Sequence, residues 1–419
     1  MQRRNLLVTT AAIATAMSAP LAMAQQKTLL VASFPSFDEA VKTAIPLYKK
    51  VRPDVTVKLL SLSFGDHHNA LISSLATGTN LPDVAAIEFG HLGRLIESGA
   101  LEDLSKPPYS ALKHKAKLVP FTVSQATRND GVFAAMPADI GPGTMFYRKD
   151  LLDKAGVTEA QLTQSWESFV EAGKTIKSKT GIFLLPNAGS IFSVYIRSNI
   201  KSGDGIYFDS KDKPILTSPR FLKAMELAKA VRTAGLDQKI GAWSNEWNEG
   251  FKRGSFAVEM SGAWLAGHLN DYIAPETKGL WRASNLPGGA FASWGGSFYG
   301  IPKKLSDDRK KMAWDFIEFM TTNKEMQLAA FRDLNAFPSL LEAMKDPFVD
   351  QPVAFLGNQK ARQMWRTVAE KIPSVDVNKL DSVAEEILAA ELDKVLETNK
   401  DIKAALEDAQ KLTERRIRR

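Results

Sequence analysis

Between residues 28 and 88 the chain alternates short apolar runs with amphipathic stretches, and this alternation constrains the fold more than any other feature. Residues 28–34 are a short apolar strand. Ser36 and Glu39, three apart, form a capping box ahead of a helix whose inner stripe is Val41, Ile45 and Tyr48. Pro53 and Asp54 turn the chain into a strand at 55–62. A helix from about His67 to Thr77 follows, with Leu71, Ile72 and Leu75 inward, and Gly78 stops it. Residues 83–88 are a third strand. Strand, helix, strand, helix, strand at this spacing reads as βαβ units and a parallel sheet.

The middle of the chain repeats the style. Helices are expected near 166–178 and 220–233, a strand at 255–260, and a Gly/Ser-rich loop at 286–300. From Ile301 helices dominate, with Met312, Ala313, Phe316, Ile317 and Met320 on one face and Val383, Ile387, Leu388, Leu392, Val395 and Leu396 on another. No low-complexity linker and no short repeat divides the 419 residues. The expectation is an α/β protein of two lobes connected by extended crossovers.

Residues 1–24 stand apart from this pattern. Arg3 and Arg4 open a basic start, residues 6–17 are apolar and uncharged, and Ala22-Met23-Ala24 is a small-x-small cleavage pattern, which reads as a secretory signal peptide. The adjacent arginines leave Sec and twin-arginine export both open. No later segment supplies 18 uncharged apolar residues, so a soluble mature protein is expected. The chain has no cysteine, which removes disulfides, thiolate metal sites, a thiol nucleophile and a lipid-attachment cysteine together. The net charge of +7 is mild, and the one dense basic run, 415–419, lacks interleaved aromatics; nucleic-acid binding is not expected.

Three stretches approach catalytic motifs and miss. Ser168 to Thr175 resembles a phosphate loop but has serine where the first glycine is required and lies in a helical pattern. Gly295 to Gly300 resembles a nucleophile elbow, yet its second glycine comes one residue late and Ile301-Pro302 replaces the helix. His67 and His68 are adjacent, about 100° apart on a helix, and cannot share a metal as an i, i+4 pair can; they read as solvated helix-start histidines. No metal and no cofactor is implied.

Several stretches taken in order resemble the extracellular solute-binding proteins of bacterial ABC importers, in their sugar-binding, maltose-binding-protein-like branch. They are Thr77 to Val84, Met136 to Gly143 leading into Tyr147 to Leu152, Ala155-Gly156-Val157, Ser165-Trp166-Glu167, Phe251 to Trp264, Trp294-Gly295-Gly296 to Lys303, and Ala313 to Met320. The resemblance implies a two-lobed periplasmic-binding-protein fold, each lobe a sheet flanked by helices, with three hinge crossovers and the ligand between the lobes. It implies an N-terminal lobe of 25–138 plus 287–335 and a C-terminal lobe of 139–286 plus 336–419. The expected partners are a small-molecule carbohydrate and membrane permease subunits, with the protein a periplasmic monomer. Asp139 would lie in a hinge passage and accept sugar hydroxyls; Glu88, ending the third strand, would sit beside the cleft. Family members carry an aromatic around Ile87 and an acid near Gly90. This chain departs from both, which argues against a long maltodextrin-like ligand.

Trp264 follows an apolar alternation at Phe256, Val258 and Met260 and the small residues Ser261, Gly262 and Ala263. By itself it reads as a core residue after a turn; in the family a tryptophan at this place stacks on a sugar ring. Gly295 and Gly296 would let backbone amides approach a ligand or simply turn a loop. Trp294 and Trp243 contact ligand or pack between lobes. Phe37, Phe64 and His67 are candidates for an N-lobe wall; Trp166 and Trp314 are assigned to packing. Two alternatives stay open: a secreted carbohydrate-active hydrolase using Glu88 or Asp139, and a binding protein for a charged ligand. Arg197 or Arg332 would suit a sugar phosphate or uronic acid, and an acid-rich aromatic cleft a polyamine.

Overall fold

The computed structural model describes residues 27–418 apart from Asn129 and Ser202, so the expected leader at 1–24 lies outside the described residues. The strands are β1 (Lys27–Ser33), β2 (Val55–Ser61), β3 (Val84–Glu88), β4 (Met136–Arg148), β5 (Val258–Gly262), β6 (Trp281–Ser284), β7 (Ser293–Gly300) and β8 (Phe337–Pro338). They join in the order β2-β1-β3-β7-β4-β5, with β6 and β8 also pairing with β4. β1 runs parallel to β2 and β3, and α1 (Phe37–Val51) and α2 (Phe64–Thr77) make the crossovers. α3 (Phe89–Glu97) leaves directly from the end of β3.

β4 belongs to both lobes. Its first part, 136–142, pairs antiparallel with β7, and residues 143–147 pair with β5. The register against β7 slips between Pro137 and Asp139 and again between Ile140 and Pro142, and such irregularities bend a strand. The passage from lobe to lobe therefore lies at the bends.

Each lobe has its own core. In the first, Leu29, Val31, Val41 and Ile87 pack with Phe298, Tyr299, Phe316 and Ile317. In the second, Met145 and Tyr147 face a cluster with Phe169, Phe192, Phe221, Leu388 and Leu392, while Phe146 faces Trp247, Phe251, Trp281 and Trp365. Alternating residues of one strand thus serve two layers, as the two-residue period of a strand requires. Leu286, Ala290 and Ala292 pack with the second lobe, and the chain rejoins the first core at Phe298. Trp166 and Trp314 are buried, as expected of packing residues.

Several local expectations change. Ser36 sits at φ 73° with no side-chain cap bond, so the capping box does not form; its hydroxyl lies 3.5 Å from that of Tyr272 in the other lobe. The strand expected at 255–260 runs instead from Val258 through Gly262, because β4 pairs with it up to Gly143↔Gly262. The loop expected at 286–300 ends in a true strand, β7, inserted between β3 and β4. The stretch from Ser168 to Thr175 lies inside the helix Trp166–Thr180, which removes any phosphate-loop geometry.

Candidate functional site

Where β3 ends, register builds a row of polar side chains. Glu88 pairs with Ser297, and Ser297 pairs with Asp139 on its other side. Side chains paired across a sheet share a face, and two strand spacings set the two backbones about 10 Å apart. Both residues are half-buried. Burial pushes Glu88 up to about 7 against the opposing Gly90 N–H, which donates to Glu88 Oε2 at 2.7 Å. Burial likewise raises Asp139 to about 6, with Ser297 hydrogen bonds pulling the other way. Asp139 Oδ1 has no hydrogen-bond partner among the described residues. Asp139, Phe37, Tyr299 and Gln327 line a cavity of about 10 Å³ beside the hinge, which is room for about one water.

The glycines make the next layer possible. A Cβ on Gly295 would lie 3.5 Å from Trp264 Nε1 and 3.6 Å from Glu88 Oε1, so the indole and the carboxyl flank one bare stretch of backbone. Gly295 and Gly296 have φ of 77° and 122°, values that only glycine adopts at low cost. Gly262 and Gly141 are needed because the tryptophans crowd them. A Cβ on Gly262 would collide with the Trp264 indole, and one on Gly141 with the Trp294 carbonyl. The small residues therefore make room for the tryptophan itself. Trp243 stacks on Trp264 with centroids 5.7 Å apart and an interplanar angle of 18°; it is 58% exposed.

Of the site residues expected from the sequence, Glu88, Asp139, Gly295, Gly296, Trp264, Trp294 and Trp243 lie next to one another here. Others lie elsewhere than expected. His67 and His68, expected to be solvated, are both buried, because they satisfy the backbone of β3: His67 Nε2 lies 2.7 Å from the Ala86 carbonyl and His68 Nε2 3.2 Å from the Glu88 nitrogen. Phe37 is buried between Phe34 and Tyr299. Phe64 is 45% exposed, beside His91 with centroids 5.6 Å apart.

The residues missed are Ser297, His91 and Phe89. Phe89 packs against the cores of both lobes; it was legible as an aromatic two residues beyond Ile87, within the stretch where one was sought. Arg197 and Arg332 part company. Arg332 lies by Asp346 and Phe348, whereas the Arg197 guanidinium sits 4.9 Å from the Trp294 ring centre and donates to Glu385 at 2.8 Å. Among the described residues no group of three or more His, Cys, Asp or Glu could hold a metal ion, and no helix is long and apolar enough to cross a membrane.

Two lobes joined through a bent strand, with carboxyls, bare backbone and indoles at the junction, are features to compare with known proteins. Residues 43–357 match the family model of the bacterial extracellular solute-binding proteins. The chain belongs to that family. A lactose-binding protein of Rhizobium radiobacter is 27% identical over 372 residues, covering 83% of this chain and 84% of its own. An arabinooligosaccharide-binding protein of Bacillus subtilis is 25% identical over 288 residues, 66% of this chain and 65% of its own. Among solved structures, an extracellular solute-binding protein of family 1 has a TM-score of 0.81 at 23% identity, covering 93% of this chain and 99% of its own. The two-lobed architecture of this solute-binding protein is thus the family's, and its hinge-side row is where the two lobes meet.

Proposed function

We propose that this solute-binding protein captures a neutral mono- or oligosaccharide between its lobes, closes around it by hinge motion and delivers it to the permease of an ABC importer. The observation that carries the reading is the pairing of the Glu88 carboxyl and the Trp264 indole about Gly295. A sugar ring presents C–H groups on its faces and hydroxyls at its rim. An indole face takes the first, and carboxyls and bare amides take the second. Trp264, Trp294 and Trp243 are the proposed apolar contacts; Glu88, Asp139 and the amides of Gly295 and Gly296 the polar ones, with Phe64 at the edge. Sugars in the printed names of the relatives support the same ligand class.

A neutral ligand is supported by the pairing of Arg197. Its charge is committed to Glu385 and its flat face to Trp294, so no unpaired cation is offered to a phosphate or uronate by this residue. The reading makes the protein a periplasmic, non-enzymatic monomer that works without cofactor or metal. The proposed lobes are 25–138 with the segment returning through β7 to 335, and the remainder; residues 287–292 go with the second lobe because Ala290 and Ala292 pack there.

A thermal-shift panel of lactose, arabinose oligomers and glycerol phosphate tests the ligand class. Ligand at 100 times its dissociation constant adds roughly 2.7 kcal/mol of stability. A shift with glycerol phosphate alone would overturn neutrality. Overnight incubation with each responding sugar tests the hydrolase alternative, since a binder returns it uncleaved.

A further inference from the structure

We infer that His68 is a positioning residue that fixes Phe64 and Glu88 relative to each other, as a neutral imidazole protonated on Nδ1. The inference rests on the reading that Glu88 meets the ligand. His68 is fully buried in the first turns of α2, and both of its ring nitrogens contact backbone. Nδ1 lies 2.8 Å from the carbonyl oxygen of Phe64, which can only accept, so Nδ1 carries the proton. Nε2 lies 3.2 Å from the backbone nitrogen of Glu88, which can only donate, so Nε2 presents its lone pair. A second ring proton would set N–H against N–H, and the other neutral tautomer would break both contacts. One side chain thereby ties the start of α2 to the end of β3, the two places that carry the exposed Phe64 ring and the Glu88 carboxyl.

The surroundings hold the ring in that state and plane. His91 stacks on it at 4.0 Å between centroids and 14° between planes, His67 meets it edge-on at 4.8 Å, and Phe34 and Phe64 close the remaining sides at 5.3 Å and 4.7 Å. Burial, and then the charge of His91, hold the His68 pKa down to about 3. His91 itself is held low by burial and by Arg94, with Glu385 opposing. His67 fastens the same strand two residues earlier, at Ala86.

The test uses the full-length protein without ligand first. Nitrogen-15 NMR of the histidines should show His68 protonated on Nδ1 and bare on Nε2 from pH 5 to 8; a proton on Nε2 overturns the proposal. Carbon-13 titration of the Glu88 carboxyl should move toward an ordinary glutamate in His68→Leu and stay near wild type in His68→Gln, whose amide offers one donor and one acceptor. An unchanged Glu88 titration in His68→Leu would overturn the positioning role. Should His68→Leu fail to fold, the wild-type tautomer and His68→Gln still decide. Calorimetry with lactose as probe should show affinity at least tenfold weaker in His68→Leu and within threefold of wild type in His68→Gln. If wild type ignores lactose, the proposed ligand class suffers while the NMR arms on His68 stand.

Discussion

The indole N–H of Trp264 donates to the carbonyl oxygen of Trp294 at 2.9 Å. One residue follows β5 in the second lobe, and the other lies in β7 on its way to the first. The bond therefore locks a ring to the hinge passage. What remains for a ligand is the aromatic surface alone.

Trp264→Phe should separate the ring from the bond. It keeps an aromatic face and loses one hydrogen bond, so unfolding of the ligand-free protein by urea should cost about 0.5–1.5 kcal/mol less. Sugar affinity should fall less than in Trp264→Ala, where loss of a stacking aromatic costs roughly 2–4 kcal/mol of binding. Calorimetry on both variants checks this; equal affinities would remove Trp264 from the ligand site.

Gly262→Ala should act through Trp264. Its Cβ would collide with the indole and approach the Trp294 carbonyl, and forced repacking of this kind costs about 1–3 kcal/mol. Tryptophan fluorescence of the ligand-free variant should shift as the ring moves. An unshifted spectrum with wild-type stability would mean that the backbone yields instead.

Trp243 holds a left-handed backbone, φ 67°, which for a bulky residue costs on the order of 1–3 kcal/mol. Its ring is mostly exposed, so little burial offsets that cost. Trp243→Gly should leave the melting temperature of the free protein unchanged or higher while weakening sugar binding. A clear loss of stability would show that the stack on Trp264 and Trp247 is structural.

The pH dependence of stability has a definite sign near neutrality. Burial raises Glu88, Glu259 and Asp381 each to about 7, so the folded state holds protons that the unfolded state has released. Their contribution is complete below about pH 4 and is lost as pH rises through 7. Buried His68 and His268, lowered to about 3 and about 4, act oppositely: their contribution is fully present only about one unit above the ordinary histidine value and is lost as pH falls. Between pH 6.5 and 8 the folded carboxyls release their protons while the unfolded histidines release their last, so the carboxyls lower the urea midpoint and the histidines offset part of that drop. Glu259→Gln, at a site where the carboxyl accepts from Trp247 at 2.8 Å, should flatten that drop; an undiminished slope would rule Glu259 out as a contributor.

The β1-α1-β2-α2-β3 unit was legible to within about three residues, the largest miss being α2, which starts at Phe64, because hydrophobic period and glycine stops are local signals. Its third strand starts one residue late because the side chain of Asp83 is occupied, accepting from the Leu30 amide at 2.7 Å and pairing with Arg309. β7 was not legible. Gly295 and Gly296 mimic a loop, and only β3 and β4 on either side draw them into a strand. The site divides in the same way: indoles, glycines and carboxyls announce themselves by type, whereas His67 and His68 acquire their roles from carbonyl and amide groups about twenty residues away.

The insertion of β7 between β3 and β4 also sets an order of events during synthesis. A nascent chain ending before residue 293 has every parallel strand of the first lobe but leaves β3 with one unpaired edge, and it lacks Phe316 and Ile317 of that lobe's core. At about 5–20 residues per second, the first lobe waits many seconds for its last pieces, and the second lobe's C-terminal helices, Asp381–Thr398 and Ile402–Ile417, come later still. The first lobe can close its core only once Ala330 has been made, and the second only after Ala409 has followed.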